Sequence, residues 1–153
     1  MLSQAELPLT QFLTLCQESF QSQKRLFEKV GEVCQQAFHL PQETVYRELL
    51  AREKLGSTAI GEGVAIPHCR IEDCQEPVGL LITLSQPIEF SSPDGRDVDI
   101  IFVLLVPKEA TDEHLKLLSF IATTLSEEET RGALRTATDA RQLATIVTDS
   151  RAP

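Results

Sequence analysis

The chain has 153 residues, 42% of them hydrophobic, and 23 acidic against 14 basic side chains give a net charge of −9. That length carries one substantial core in a single domain, placed over residues 1–153 with the core at about 5–149. The acidic balance excludes broad nucleic-acid binding, which takes a basic face, and no apolar run approaches the ~20 residues that span a bilayer.

In chain order, Leu26, Phe27, Val30, Val33, Cys34, Ala37 and Phe38 recur at helical spacing, which predicts a helix from Ser22 to about Phe38. Pro41 opens a second helix running to about Lys54, with Val45, Leu49 and Leu50 on one face. Glycines at 56, 61 and 63 break the chain, and Val64 to Ile66 reads as a short strand delivering Pro67 and His68. Val78 to Ser85 and Val98 to Val106 read as strands, the second so continuously apolar that both its faces are covered. Between them Ser91 to Gly95 is a turn-rich loop, and Pro107 ends the second strand. Thr111 is an N-cap for a helix carrying Leu115, Leu117, Leu118, Ile121, Ala122 and Leu125. Shorter helices follow near Glu127–Arg135 and Asp139–Val147, and residues 150–153 are expected to fray. Helices before and after a central group of strands predict an α/β layered domain.

The N-terminus carries no basic stretch and apolar segment of the signal-peptide kind, so a soluble cytoplasmic protein without membrane insertion is expected. Cys16, Cys34, Cys69 and Cys74 form no CxxC pair. His68, Cys69 and Cys74 make at best half a zinc site, so no metal is expected. The chemistry of the chain centres on His68, because a neutral imidazole is nucleophilic near pH 7 and a strand end fixes it in place.

The stretch Arg52 to Cys69, REKLGSTAIGEGVAIPHC, resembles the phosphorylation site of IIA proteins of the bacterial phosphoenolpyruvate-dependent phosphotransferase system. Within the fructose/mannitol class it is most similar to the nitrogen-related regulatory branch. The likeness extends over about residues 5–149 and includes the strand VDIIFVLLVP and the following Asp112-Glu113-His114-Leu115. The resemblance implies a mixed β-sheet flanked by helices on both sides. It implies that His68 is the phosphorylated histidine, modified on Nε2, that His114 is the second active-site histidine, and that Arg52 lies beside the site. Ala59, Glu62 and Cys69 depart from the glycine, asparagine and glycine frequent at those places; Cys69 makes the site a candidate for oxidative interference.

Phosphoryl transfer asks the protein for an aligned nucleophile and for groups that hold spread negative charge. Arg52 offers its fork of donors, Ser57 and Thr58 offer hydroxyls, and the Gly61-Glu62-Gly63 turn offers backbone N–H groups. Each has a plainer reading: Arg52 as an i, i+4 partner of Glu48, Ser57 and Thr58 as turn-shaping residues, His114 as a helix-surface residue. The function implied is a phosphohistidine carrier that accepts a phosphoryl group from an HPr-like protein without metal or other cofactor. In the nitrogen-related branch it regulates targets, such as potassium-transport or sensor-kinase components, through its phosphorylation state. The alternatives are a sugar-transport IIA component passing phosphate to a IIB domain, and a binding module whose histidine is not phosphorylated.

Overall fold

The computed structural model describes residues 9–149; the expected fraying of 150–153, and the 5–8 part of the expected core, lie outside them. Six strands form one mixed sheet with the path β1-β5-β6-β3-β2, and β4 pairs with β6 beside β3. The strands are β1 (Gln11–Glu18), β2 (Ala59–Gly61), β3 (Val64–Ala65), β4 (His68–Ile71), β5 (Val78–Ile88) and β6 (Val98–Pro107). The helices are α1 (Gln23–Phe38), α2 (Gln42–Lys54), α3 (Asp112–Leu125), α4 (Glu128–Thr136) and α5 (Ala140–Asp149).

The central strand β6 lies antiparallel to β5 and parallel to both β3 and β4. From Ile100 to Leu105 its side chains alternate between two cores, as the period of two in a strand requires, while Val98 lies beyond a register shift in the pairing with β5. Val98, Ile101, Val103 and Leu105 join Leu26, Phe27 and Val30 of α1 and Val45 and Leu49 of α2. Ile100, Phe102 and Leu104 join Leu117, Ile121 and Leu125 of α3, Leu134 of α4 and Leu143 and Val147 of α5. The sheet is thus a middle layer with two helices on one face and three on the other. This is the α/β layering that the element order predicts and the mixed sheet with helices on both sides that the family resemblance implies, and it explains the continuous apolar run of β6.

The helix limits follow local signals. The Ser22 side chain accepts from Arg25 N–H at 3.2 Å and starts α1, while His39 in the left-handed region ends it. Pro41 is the N-cap of α2 and Thr111 that of α3.

Two local expectations change. The parallel edge strand β1, paired with β5 from Gln11↔Val78 onward, precedes everything read as regular structure in the sequence. His68 is not the end of the strand at 64–66 but the first residue of a new one: the chain breaks at Ile66-Pro67 and resumes as β4.

Candidate functional site

Pro67 has no N–H to give to a ladder, so the parallel edge beside β6 is built from two short pieces rather than one strand. Val64 and Ala65 pair with Ile100 and Ile101, and His68 to Ile71 pair with Leu104 to Pro107. Pro67 O accepts from Leu104 N–H at 2.9 Å and sutures the break. Cys69 and Ile71 belong to the α1–α2 core, so the alternation of β4 sends His68 and Arg70 to the α3 face. His68 is half-buried there.

His68 Nδ1 lies 2.7 Å from Ile66 O. A carbonyl oxygen only accepts, so in the neutral ring Nδ1 carries the hydrogen and Nε2 keeps its lone pair. That tautomer leaves Nε2 as the nucleophile.

His114 has the opposite arrangement. It occupies the third position of α3, and its Nδ1 accepts from Thr111 N–H at 3.0 Å as the returning half of a capping box. A backbone N–H only donates, so the neutral ring of His114 carries its hydrogen on Nε2. His114 follows β6 by a short loop, and Arg70 donates from Nη1 to Lys108 O of that loop at 3.3 Å. The topology therefore brings both histidines to the α3 face at the carboxyl end of β6, one with a free lone pair and one with a free donor.

The other residues anticipated around His68 have different surroundings. Arg52 is in the last turn of α2, across the sheet from α3, and donates from Nη1 to Gly56 O at 2.8 Å, closing the helix end. The i, i+4 pair with Glu48 is replaced by this cap. The Ser57 hydroxyl donates to Phe90 O and its oxygen accepts from Ala59 N–H at 3.1 Å. Thr58, only 5% exposed, directs both its hydroxyl and its amide at the Glu53 carboxylate, at 2.7 and 3.0 Å.

Gly61 and Gly63 do not surround His68. They form the tight turn of the β2–β3 hairpin, with Glu62 at φ 59° and Gly63 at φ 78°, the pair of left-handed residues that such turns demand. The register places this turn beside Asp99 while His68 is level with Leu104, roughly 15 Å apart at about 3.3 Å per residue. The amide of Glu62 is already used, donating to Asp94 Oδ2 at 2.9 Å. That bond, followed by those from the Ser92 hydroxyl and the Arg96 amide, holds the Asp94 carboxyl down at about 2. Arg135 completes the latch, with Nη2 on Glu62 O at 2.7 Å and two nitrogens on the Asp99 carboxylate at 2.9 and 3.1 Å.

Cys69 is turned away from the histidine next to it. Burial, then the charge of Glu48, pushes its thiol up to about 12, and burial pushes Cys34 to about 12 and Cys74 to about 11. A half-buried thiol held in the protonated form on the opposite face of the sheet is a poor target for oxidation, which argues against oxidative interference at the site. Among the described residues no group of three or more His, Cys, Asp or Glu side chains is placed to hold a metal ion, and no helix is long and apolar enough to cross a membrane.

Sequence reasoning missed Glu53. Nothing in its immediate surroundings distinguishes it from the other charged residues of α2, and its partner Thr58 is met only after the chain has left the helix.

Comparison with known proteins gives the lineage. The family described as "Phosphoenolpyruvate-dependent sugar phosphotransferase system, EIIA 2" matches residues 8–150. A nitrogen regulatory protein of Pseudomonas aeruginosa is 46% identical over 131 residues, 84% of each chain. The crystal structure of the nitrogen regulatory protein IIA-Ntr of Neisseria meningitidis superposes with a TM-score of 0.82 at 41% identity, covering 96% of this chain and 99% of that one. The mannitol IIA protein of Escherichia coli, in complex with its phosphorylated IIB protein, shares the fold at a TM-score of 0.74 and 16% identity, over 88% and 92% of the two chains. The chain belongs to the EIIA 2 family of the phosphoenolpyruvate-dependent phosphotransferase system, on its nitrogen-related side.

Proposed function

We infer that the protein is a phosphohistidine carrier that receives a phosphoryl group on Nε2 of His68 from the phosphohistidine of an HPr-like protein. In the free protein the observation that carries this reading is the 2.7 Å contact of His68 Nδ1 with Ile66 O, which in the neutral form of this half-buried ring assigns the lone pair to Nε2. In the transfer, the bond from phosphorus to the donor's imidazole nitrogen breaks as the bond to Nε2 forms. The electron pair of the broken bond stays with the donor ring. The ring of His68 keeps its Nδ1–H and gains positive character as Nε2 is phosphorylated, and Ile66 O faces that hydrogen and stabilises the charge.

His114 offers its Nε2–H to the phosphoryl oxygens, and a contribution from Arg52 requires its guanidinium to leave Gly56 O. Membership of the family implies contacts with a phosphocarrier and other phosphotransferase proteins. The nitrogen-related relatives favour regulation through phosphorylation state over sugar transport, with state-dependent binding to target proteins such as potassium-transport or sensor-kinase components.

The test is reconstitution with phosphoenolpyruvate, enzyme I and an HPr-like carrier. The expected result is an acid-labile label on the wild type that disappears in His68→Ala; an intact protein that takes no label from any cognate carrier would falsify the reading. Capture by phosphorylated and unphosphorylated protein separates the branches: state-dependent retention of a sugar IIB protein alone would assign it to transport.

A further inference from the structure

We propose that Glu53 is a positioning residue for His68, acting through Thr58 and Ile66. The proposal rests on the reading of His68 as the phosphoryl acceptor. Four hydrogen bonds form an uninterrupted line from helix α2 to the imidazole. The Glu53 carboxylate accepts from the Thr58 amide at 3.0 Å and from the Thr58 hydroxyl at 2.7 Å. Thr58 O accepts from Ile66 N–H at 3.0 Å. Ile66 O then accepts from His68 Nδ1–H at 2.7 Å.

The line matters because the ladder it closes is very short. β2 has three residues and β3 has two, and strands of that length do not hold their own register. The bond from Ile66 to Thr58 is the rung next to the Ala59↔Ala65 pair, at the open end of the hairpin where fraying begins. Glu53 fixes Thr58 at that end from a helix that is itself packed on the sheet through Val45 and Leu49. The direction of the Ile66 carbonyl is then set from both sides, by its own amide on Thr58 and by Pro67, whose carbonyl is tied to Leu104 N–H.

That carbonyl decides which nitrogen of His68 is the nucleophile. Free imidazole in water favours the tautomer with hydrogen on Nε2, which has no lone pair at the reacting position. An Ile66 carbonyl free to swing would let the ring revert to that tautomer. Glu53 touches neither phosphate nor the reacting ring; its effect is transmitted through the backbone it holds.

The experiment compares Glu53→Ala and Glu53→Gln with the wild type in the full-length protein. Long-range ¹H–¹⁵N correlation of the histidine rings reads the tautomer of His68, and transfer from the HPr-like carrier reads its consequence. Glu53→Ala is expected to convert a single Nδ1–H tautomer into a mixture. It is expected to slow transfer about ten- to a hundredfold, the scale of a catalytic group displaced by a remote change, with the KM for the carrier unchanged. Glu53→Gln is expected to restore both, because its amide oxygen accepts from the Thr58 amide while the Thr58 hydroxyl turns to accept from its NH₂. If Glu53→Ala loses thermal stability yet keeps the wild-type tautomer or the wild-type rate, Glu53 is structural only and the proposal is overturned. Should Glu53→Ala fail to fold, Thr58→Val removes one of the two links; a smaller shift of tautomer and rate supports the proposal, and no shift in either overturns it. A wild type that accepts no phosphoryl group refutes the carrier reading, while the tautomer comparison still decides what Glu53 does to His68.

Discussion

The imidazole of His114 commits its Nδ1 lone pair to Thr111 N–H, and only Nε2–H remains for a phosphoryl oxygen. These two roles separate by substitution, because glutamine and glutamate also close a capping box from the third helical position. His114→Gln keeps the cap and still presents an N–H outward. His114→Glu keeps the cap but places a carboxylate beside the phosphoryl group, and His114→Ala removes cap and donor together. Thermal unfolding should therefore show a loss of about 1 kcal/mol in His114→Ala alone. Transfer should fall on the order of a hundredfold in both His114→Ala and His114→Glu, as for loss of one donor to a charged transition state. Equal transfer by all three variants would reduce His114 to a helix cap. Next to His68, the protonated and half-buried thiol of Cys69 should resist alkylation in the native protein at neutral pH and react once denaturant is added. Rapid modification of native Cys69 would contradict the raised pKa of its thiol.

Among the elements, the β2–β3 hairpin separates what local sequence reveals from what it conceals. Gly61-Glu62-Gly63 is legible as a turn from its glycines alone, but its distance from His68 depends on register against β6, which is set forty residues later in the chain. The same non-local information hides Glu53, whose partner Thr58 becomes important only because Thr58 meets Ile66. β5 and β6 were legible because their apolar runs are nearly unbroken, and the helices because their apolar residues repeat with a single period. β1 was not, since Phe12 and Cys16 serve the α3–α5 core and Leu15 the other, leaving no one-sided pattern between its polar ends. The hairpin's place in the fold has a test in Gly63→Ala. A Cβ there would lie 2.5 Å from Arg135 Nη2 and 3.0 Å from Asp99 Oδ1, at φ +78°. Arg135 cannot retreat without releasing Asp99 and Glu62 O, so about 2 kcal/mol of stability should be lost. Below the melting temperature the phosphoryl-transfer rate should remain that of the wild type, because the turn is at the other end of β6. A Gly63→Ala protein that is fully folded yet slow in transfer would return the turn to the site.

For the molecule as a whole, the two-faced sheet limits how a phosphoryl group on His68 is sensed. The protein already carries a net charge of −9, and phosphorylation adds about −1.5 to −2. The change in overall charge is therefore modest, and beyond about 8–10 Å it is screened at physiological salt. A partner that distinguishes the two states must read the charge close to where it is placed, on the α3 face at the carboxyl end of β6. The packed sheet and the α1–α2 core lie between that surface and the opposite one, where Cys69 is turned. Backbone amide shifts should accordingly move on phosphorylation in residues 66–70, in the 108–111 loop tied to Arg70, and in the first turn of α3 around His114. Amides of α1 and of the Gly61–Gly63 turn should stay in place. The measurement is a pair of ¹H–¹⁵N spectra before and after phosphorylation by the reconstituted cascade. Shifts spread evenly over both faces would mean that the sheet itself rearranges, and that the switch is a change of conformation rather than a charge displayed on one surface.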